Sequence, residues 1–146
     1  MADNNVSANL DDFIDNVLPK KMVSSMAKAC SIVRNAAIDK APHRTGALKR
    51  SIDFDLSDNG EEGVVSSNLD YAPWVEAGTG KYATKGAGRQ TPWVYPCYVT
   101  QDVANKIGGE HGLRFFKTEG QKPKPFLEPA AQENKSKIIQ CFEGVI

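Results

Sequence analysis

The chain is 146 residues long, 40% hydrophobic and 25% charged, which is ordinary globular usage for one domain and excludes global disorder. Its 18 basic and 18 acidic residues cancel, so nothing argues for a dedicated nucleic-acid binder. The apolar runs are far too short to span a membrane, Met1 to Asn5 lacks the start of a secretory signal, and Cys30, Cys97 and Cys141 are too scattered for a disulfide framework or zinc site. These features describe a soluble intracellular domain with no membrane partner.

Residues 1–9, rich in Asn and small side chains, are expected to be mobile. Leu10, Phe13, Ile14, Val17 and Leu18 then recur at the spacing of one helix face, and Pro19 either interrupts that pattern or opens the next helix. Met22, Met26, Ala29, Val33 and Ala37 continue it, predicting a long amphipathic helix over 20–40 that ends before Pro42. Beyond it the period changes. Ile52, Phe54 and Leu56 alternate with Asp53, Asp55 and Ser57, a half-buried strand, and Val64 to Ser66 returns after the turn signal Asp58-Asn59-Gly60.

Tyr71 to Ala77 reads as a short apolar helical turn closed by Gly78-Thr79-Gly80. Residues 80–92 read as a long exposed loop rich in Gly and Lys. Trp93, Tyr95, Cys97 and Val99 alternate, as do Leu113 and Phe115 across Gly108, Gly109 and Gly112, which predicts a second hairpin. A proline-rich stretch from Gln121 to Pro125 precedes a final helix, with Pro129 near its start and Ala131, Ile138, Cys141 and Phe142 as its buried stripe. The fold class is α+β, a mostly antiparallel sheet packed on a long N-terminal and a C-terminal helix, in a single domain spanning 1–146.

The neutral total hides a division. Residues 1–77 hold 8 basic and 12 acidic side chains, whereas residues 78–124 hold 8 basic and 3 acidic. Such a separation suits subunits that dock head to tail. The chemistry-bearing patterns fail one by one. The run from Gly78 to Gly88 is not a P-loop, because Gly80-Lys81 is followed by Tyr82, and it lacks the dinucleotide-binding spacing. His43 and His111 sit in turn regions without a nucleophile elbow. Asp53 and Asp55 read as a solvated strand face. Aromatic residues lie among lysines and arginines in the basic middle, a pairing that single-stranded nucleic acids use for stacking, so contact with nucleic acid is the alternative reading.

Three segments, in order, carry a resemblance: Ala41-Pro-His-Arg-Thr-Gly-Ala-Leu-Lys-Arg-Ser-Ile52, Tyr71-Ala-Pro-Trp-Val-Glu-Ala-Gly-Thr-Gly80 and Gly120-Gln-Lys-Pro-Lys-Pro-Phe-Leu-Glu-Pro-Ala-Ala131. Together they resemble the minor neck, or head–tail joining and tail completion, proteins of long-tailed bacteriophages and prophages, and Thr91 to Tyr95 is similar to stretches of longer members. The resemblance implies a non-enzymatic virion protein of the neck or tail, with no cofactor. It would form a hexameric or dodecameric ring with copies of itself, contact neighbouring neck or tail proteins and meet passing DNA transiently. Its place would be the virion, with the host cytoplasm during assembly.

The motif positions are Pro42, Thr45, Gly46, Tyr71, Glu76, Gly78, Thr79, Pro125, Phe126 and Pro129. Pro42 and Gly46 would bracket the turn from helix to sheet, with Thr45 bonding the local backbone. Gly78 would supply a positive φ, Phe126 would anchor the proline-rich crossing in the core, and Pro129 would pre-set the first helical turn. Glu76 fits two roles, a buried acceptor for loop amides or an intersubunit partner for a lysine. Lys81, Lys85 and Arg89 are the candidate interface cations, on a loop that could order only beside a neighbouring ring.

Overall fold

From residue 9 the chain is helical, and the helix must pass Pro19, which has no N–H and whose ring crowds the carbonyl four residues back. The path widens just ahead of it into a π turn over Phe13–Val17, with the Leu18 N–H donating to the Phe13 carbonyl, and α1 then runs over Leu18–Lys40. Pro19 therefore sits in the first turn of α1 without breaking the helical path. The computed structural model describes residues 9–44, 46–86 and 88–145. Most of the stretch expected to be mobile at the N-terminus, and Thr45, lie outside the described residues.

The chain divides into two compact units, residues 1–72 with 125–146, and residues 73–124. In the first, α1 ends where Ala41 turns extended (ψ 134°) ahead of Pro42. A five-residue helix not foreseen from the sequence, α2 (Ala47–Ser51), precedes β1 (Ile52–Leu56), which pairs antiparallel with β2 (Gly63–Ser67). The register sets Phe54 opposite Val65. The connecting loop spans residues 57–62, wider than a tight Asn-Gly turn, and is closed by the Ser57 N–H donating to the Glu62 carbonyl at 2.9 Å. Gly60 in this loop has φ +72°, and a Cβ there would lie 2.6 Å from the Met22 carbonyl carbon, so the loop needs glycine to lie against α1.

The residues α1 buries are small: Ser25, Ala29, Cys30 and Ala37. Met22, Met26 and Val33 are half-buried beside them. Small residues on the inner line let neighbouring elements approach the helix axis closely, and the methionines fill the flanks. Ile52 and Phe126 are the largest fully buried side chains among the described residues.

The last helix is two short ones, α5 (Leu127–Glu133) and α6 (Lys135–Gln140), interrupted at Asn134, whose Nδ2 donates to the Ala130 carbonyl at 2.8 Å. The expected buried stripe holds at its later positions and differs at its first. Ala130 is fully buried and Ala131 is exposed, with Ile138, Cys141 and Phe142 half-buried. Lys40 Nζ reaches Glu133 Oε2 at 2.6 Å, tying the end of α1 to the end of α5. Asp53 is not merely solvated, since its Oδ1 lies 3.3 Å from Arg34 Nε.

The second unit holds helix α3 (Ala72–Ala77, its first residue belonging to the other unit), a 3-10 turn over Gly80–Tyr82, and a two-stranded antiparallel ribbon of β3 (Trp93–Val99) and β4 (Gly112–Thr118). The hairpin forms, but its connection contains a helix, α4 (Gln101–Ile107). Gly108 and Gly109, read from the sequence as a hairpin tip, instead end that helix, and Arg114 Nη1 donates to the Gly108 carbonyl at 2.9 Å. With two separate hairpins and helices before, between and after them, the fold is mixed α+β.

Candidate functional site

The segment Val75 to Lys81 and the segment Glu119 to Lys124 run alongside each other in the second unit. The Lys124 N–H donates to the Val75 carbonyl at 2.8 Å, the Thr79 N–H to the Gln121 carbonyl at 2.9 Å, and the Lys81 N–H to the Glu119 carbonyl at 3.1 Å. The Gln121 N–H returns the exchange, donating to Thr79 Oγ1 at 2.9 Å. Two of the three resemblance segments are therefore partners in one backbone clamp, although about 40 residues of chain separate them.

The clamp explains its glycine. Gly78 has φ +75°, and a Cβ there would stand 2.8 Å from the Gln121 carbonyl oxygen and 2.9 Å from the Pro123 ring. Gly80 and Gly120 face each other so closely that either Cβ would strike the opposite backbone. Lys81 forms an ion pair with Glu119, and this hydrogen bond raises the lysine's pKa above its ordinary value. Lys81 Nζ and Lys122 Nζ also lie 5.1 and 5.9 Å from the centre of the Tyr82 ring.

Beside the clamp opens a cleft of about 560 Å³, lined by Trp74, Glu76, Gly78, Lys85, Arg89 and Trp93 among others. Glu76 is half-buried on its wall, and Lys85 and Arg89 are exposed at its edge. The Arg89 guanidinium lies 5.5 Å over the Trp93 ring and its Nε donates to Thr91 Oγ1 at 3.3 Å. The structure thus gathers Glu76, Gly78, Thr79, Lys85 and Arg89 around one cleft. Lys81 is engaged on the clamp. The remaining motif positions belong to the first unit: Pro42 is half-buried after α1, Gly46 has φ +76° at the start of α2, and Tyr71 is 45% exposed. Pro125 is exposed, Phe126 is fully buried, and Pro129 is the third residue of α5.

Two features were not read as a site from the sequence. The strap residues Glu119 and Gln121 carry no local pattern that announces a partner so far back along the chain. The other is a face of the ribbon. Its register sets Val94 opposite Lys117, Pro96 opposite Phe115 and Tyr98 opposite Leu113, and directly paired residues share one side. On that side Val94 is 59% exposed, Leu113 64%, and Tyr98 and Phe115 68% each. The other side carries the tilted ring pair Tyr95 and Phe116, 6.0 Å between ring centres, with Arg114 over Phe116 at 5.4 Å.

His43 and His111 are both exposed and lie in different units, and the described residues contain no cluster of His, Cys, Asp or Glu able to hold a metal. No described helix is long and apolar enough to cross a membrane. What the geometry offers is a braced loop system, a cleft with Lys85 and Arg89 exposed at its edge, and an exposed apolar ribbon face. No curated protein and no solved structure matches the chain. The family described as "Bacteriophage HK97-gp10, putative tail-component" matches residues 4–78, just over half of the sequence, taking in the first resemblance segment and most of the second and leaving out the third. The chain belongs to this HK97-gp10-like family of bacteriophage tail components.

Proposed function

We propose that the chain is a ring-forming, non-enzymatic subunit of the head–tail junction, joining or completing the tail. As a tail-component family member it is a structural protein of a phage virion and works among other phage structural proteins. The neck position, the ring and the absence of catalysis are our reading. The observation that carries the ring is the charge of the two units. Residues 73–124 hold 8 basic and 4 acidic side chains, a net of +4, and the rest of the chain holds 10 and 14, a net of −4. Opposed patches on one subunit make head-to-tail contacts, and a head-to-tail contact closes into a ring when its rotation allows.

The alternative, nucleic-acid contact, meets an obstacle in the second unit. Tyr82, Trp93 and Phe116 each have one of the chain's own cations over a ring face, which competes there with a stacking base, and this leaves Tyr98 and Phe115 as the most exposed rings of the ribbon. Passing DNA would meet lysines and arginines, a weak and salt-sensitive encounter.

The experiment is deletion of the chain's gene from its phage. The neck reading predicts filled heads and finished tails that accumulate unjoined, and joining restored by the chain supplied in trans. Normal yields of joined particles without it would refute the reading.

A further inference from the structure

We propose that the exposed face of the β3–β4 ribbon docks into the apolar groove of the first unit of a second copy of this chain. The inference rests on the ring reading above and names the two surfaces that would meet.

The donor surface is the ribbon side formed by Val94, Pro96, Tyr98, Leu113, Phe115 and Lys117. Aromatic side chains cover about 150–250 Å² each, so Tyr98 and Phe115, each 68% exposed, alone present on the order of 250 Å² to solvent. With Val94 and Leu113 the patch reaches the size that marks an interaction surface. A two-stranded ribbon is marginal by itself in water. Within residues 93–118 only Val99 and Ala104 are buried among the described residues, so this ribbon gains little from a core of its own.

The receiving surface is a groove of about 420 Å³ walled by Met26, Ala29 and Val33 of α1, Val65 of β2, Leu127 of α5 and Ile138 of α6. Its walls are apolar, and it is roomy enough to take large side chains from outside. The exposed carboxylate residue Glu128 stands at its rim, and Lys117 ends the apolar row on the ribbon.

Charge selects the occupant. The unit that bears the ribbon carries +4 and the unit that bears the groove carries −4, so a second copy is drawn groove to ribbon, whereas two ribbons meeting face to face would repel. Because patch and groove are different surfaces, each docked copy still offers one free ribbon and one free groove, which is how a ring grows.

The test uses two full-length variants and light scattering. Leu113→Ser with Phe115→Ser strips the ribbon at exposed positions. Ala131→Arg, at an exposed position lining the groove, blocks the receiver. Circular dichroism and melting of each variant establish that it is folded. The expected result is an oligomeric wild type, about tenfold or more weaker self-association in each variant, and a 1:1 complex when the two are mixed, since the pair retains one intact ribbon and one intact groove. Folded variants that assemble like the wild type, or weakened variants whose mixture forms no complex, overturn the docking while leaving the ring reading in place. A wild type that stays a single copy at every concentration overturns the ring reading itself and the docking with it.

Discussion

Thr79 and Gln121 hold each other by two hydrogen bonds, N–H to carbonyl one way and N–H to Oγ1 the other, both 2.9 Å. The exchange fastens the turn after α3 to the proline-rich strap before α5. Thr79→Val removes the hydroxyl acceptor while keeping the shape of the side chain, and leaves the Gln121 N–H without that bond. The expected cost is about 1 kcal/mol, read as faster amide exchange at Gln121, with Thr79→Ser close to wild type.

Glycine is required at the clamp for a second reason besides its backbone angle, and two substitutions separate the reasons. Gly86 has φ +79° and open space within 4 Å of where a Cβ would stand, whereas Gly78 has φ +75° and its Cβ would meet the Gln121 carbonyl and the Pro123 ring. Gly86→Ala should cost only the left-handed penalty of about 1–2 kcal/mol. Gly78→Ala should cost clearly more, because the strap must also move. Melting curves of the two variants side by side check the order.

Phe126 and Phe115 lie at opposite ends of the burial scale, 0% and 68% exposed. Phe126→Ala should destabilise the first unit by about 3–5 kcal/mol, measured by urea unfolding. Phe115→Ala should leave the melting of the isolated subunit nearly unchanged.

The three thiols should react in the order of their exposure: Cys97 first, Cys141 second and Cys30 last. Burial also pushes the Cys30 thiol above its ordinary pKa. The folded state therefore holds the thiol proton more tightly than the unfolded chain does. That contribution to stability is complete below the unfolded thiol's pKa of about 8.5 and is lost as pH rises through the folded value. Stability of the wild type should fall more steeply above that pH than stability of Cys30→Ala, whatever cavity the substitution leaves. Equal alkaline slopes would contradict it.

The long helix, the first hairpin and the half-buried strand Ile52–Leu56 were legible in the sequence because their periods persist over several repeats. Helices α2 and α4 were not. Five and seven residues are too few for a helical period to show, and Gly108-Gly109 has the same composition at a helix end as at a hairpin tip. The last helix was read as one element, whereas Asn134 divides it into two, and of its expected stripe only Ala131 proves exposed, the adjacent Ala130 being buried in its place. At the candidate site, Gly78 and Thr79 could be marked as special, but their partner Gln121 could not, since a clamp between segments so distant in the chain leaves no local pattern. The exposed ribbon face was hidden for a related reason. Both sides of β3 are apolar, Trp93, Tyr95 and Val99 on one and Val94 and Tyr98 on the other, so alternation alone does not say which faces solvent.

Assembly of this tail component with copies of itself, through surfaces of opposite charge, is tested most directly by light scattering. The quantity is the solution mass of the purified chain across protein concentration and salt. The expected result is a closed multiple of the 15.9 kDa subunit at low salt that dissociates as ionic strength rises and screening weakens the attraction. A mass of one subunit at every concentration and salt would contradict it.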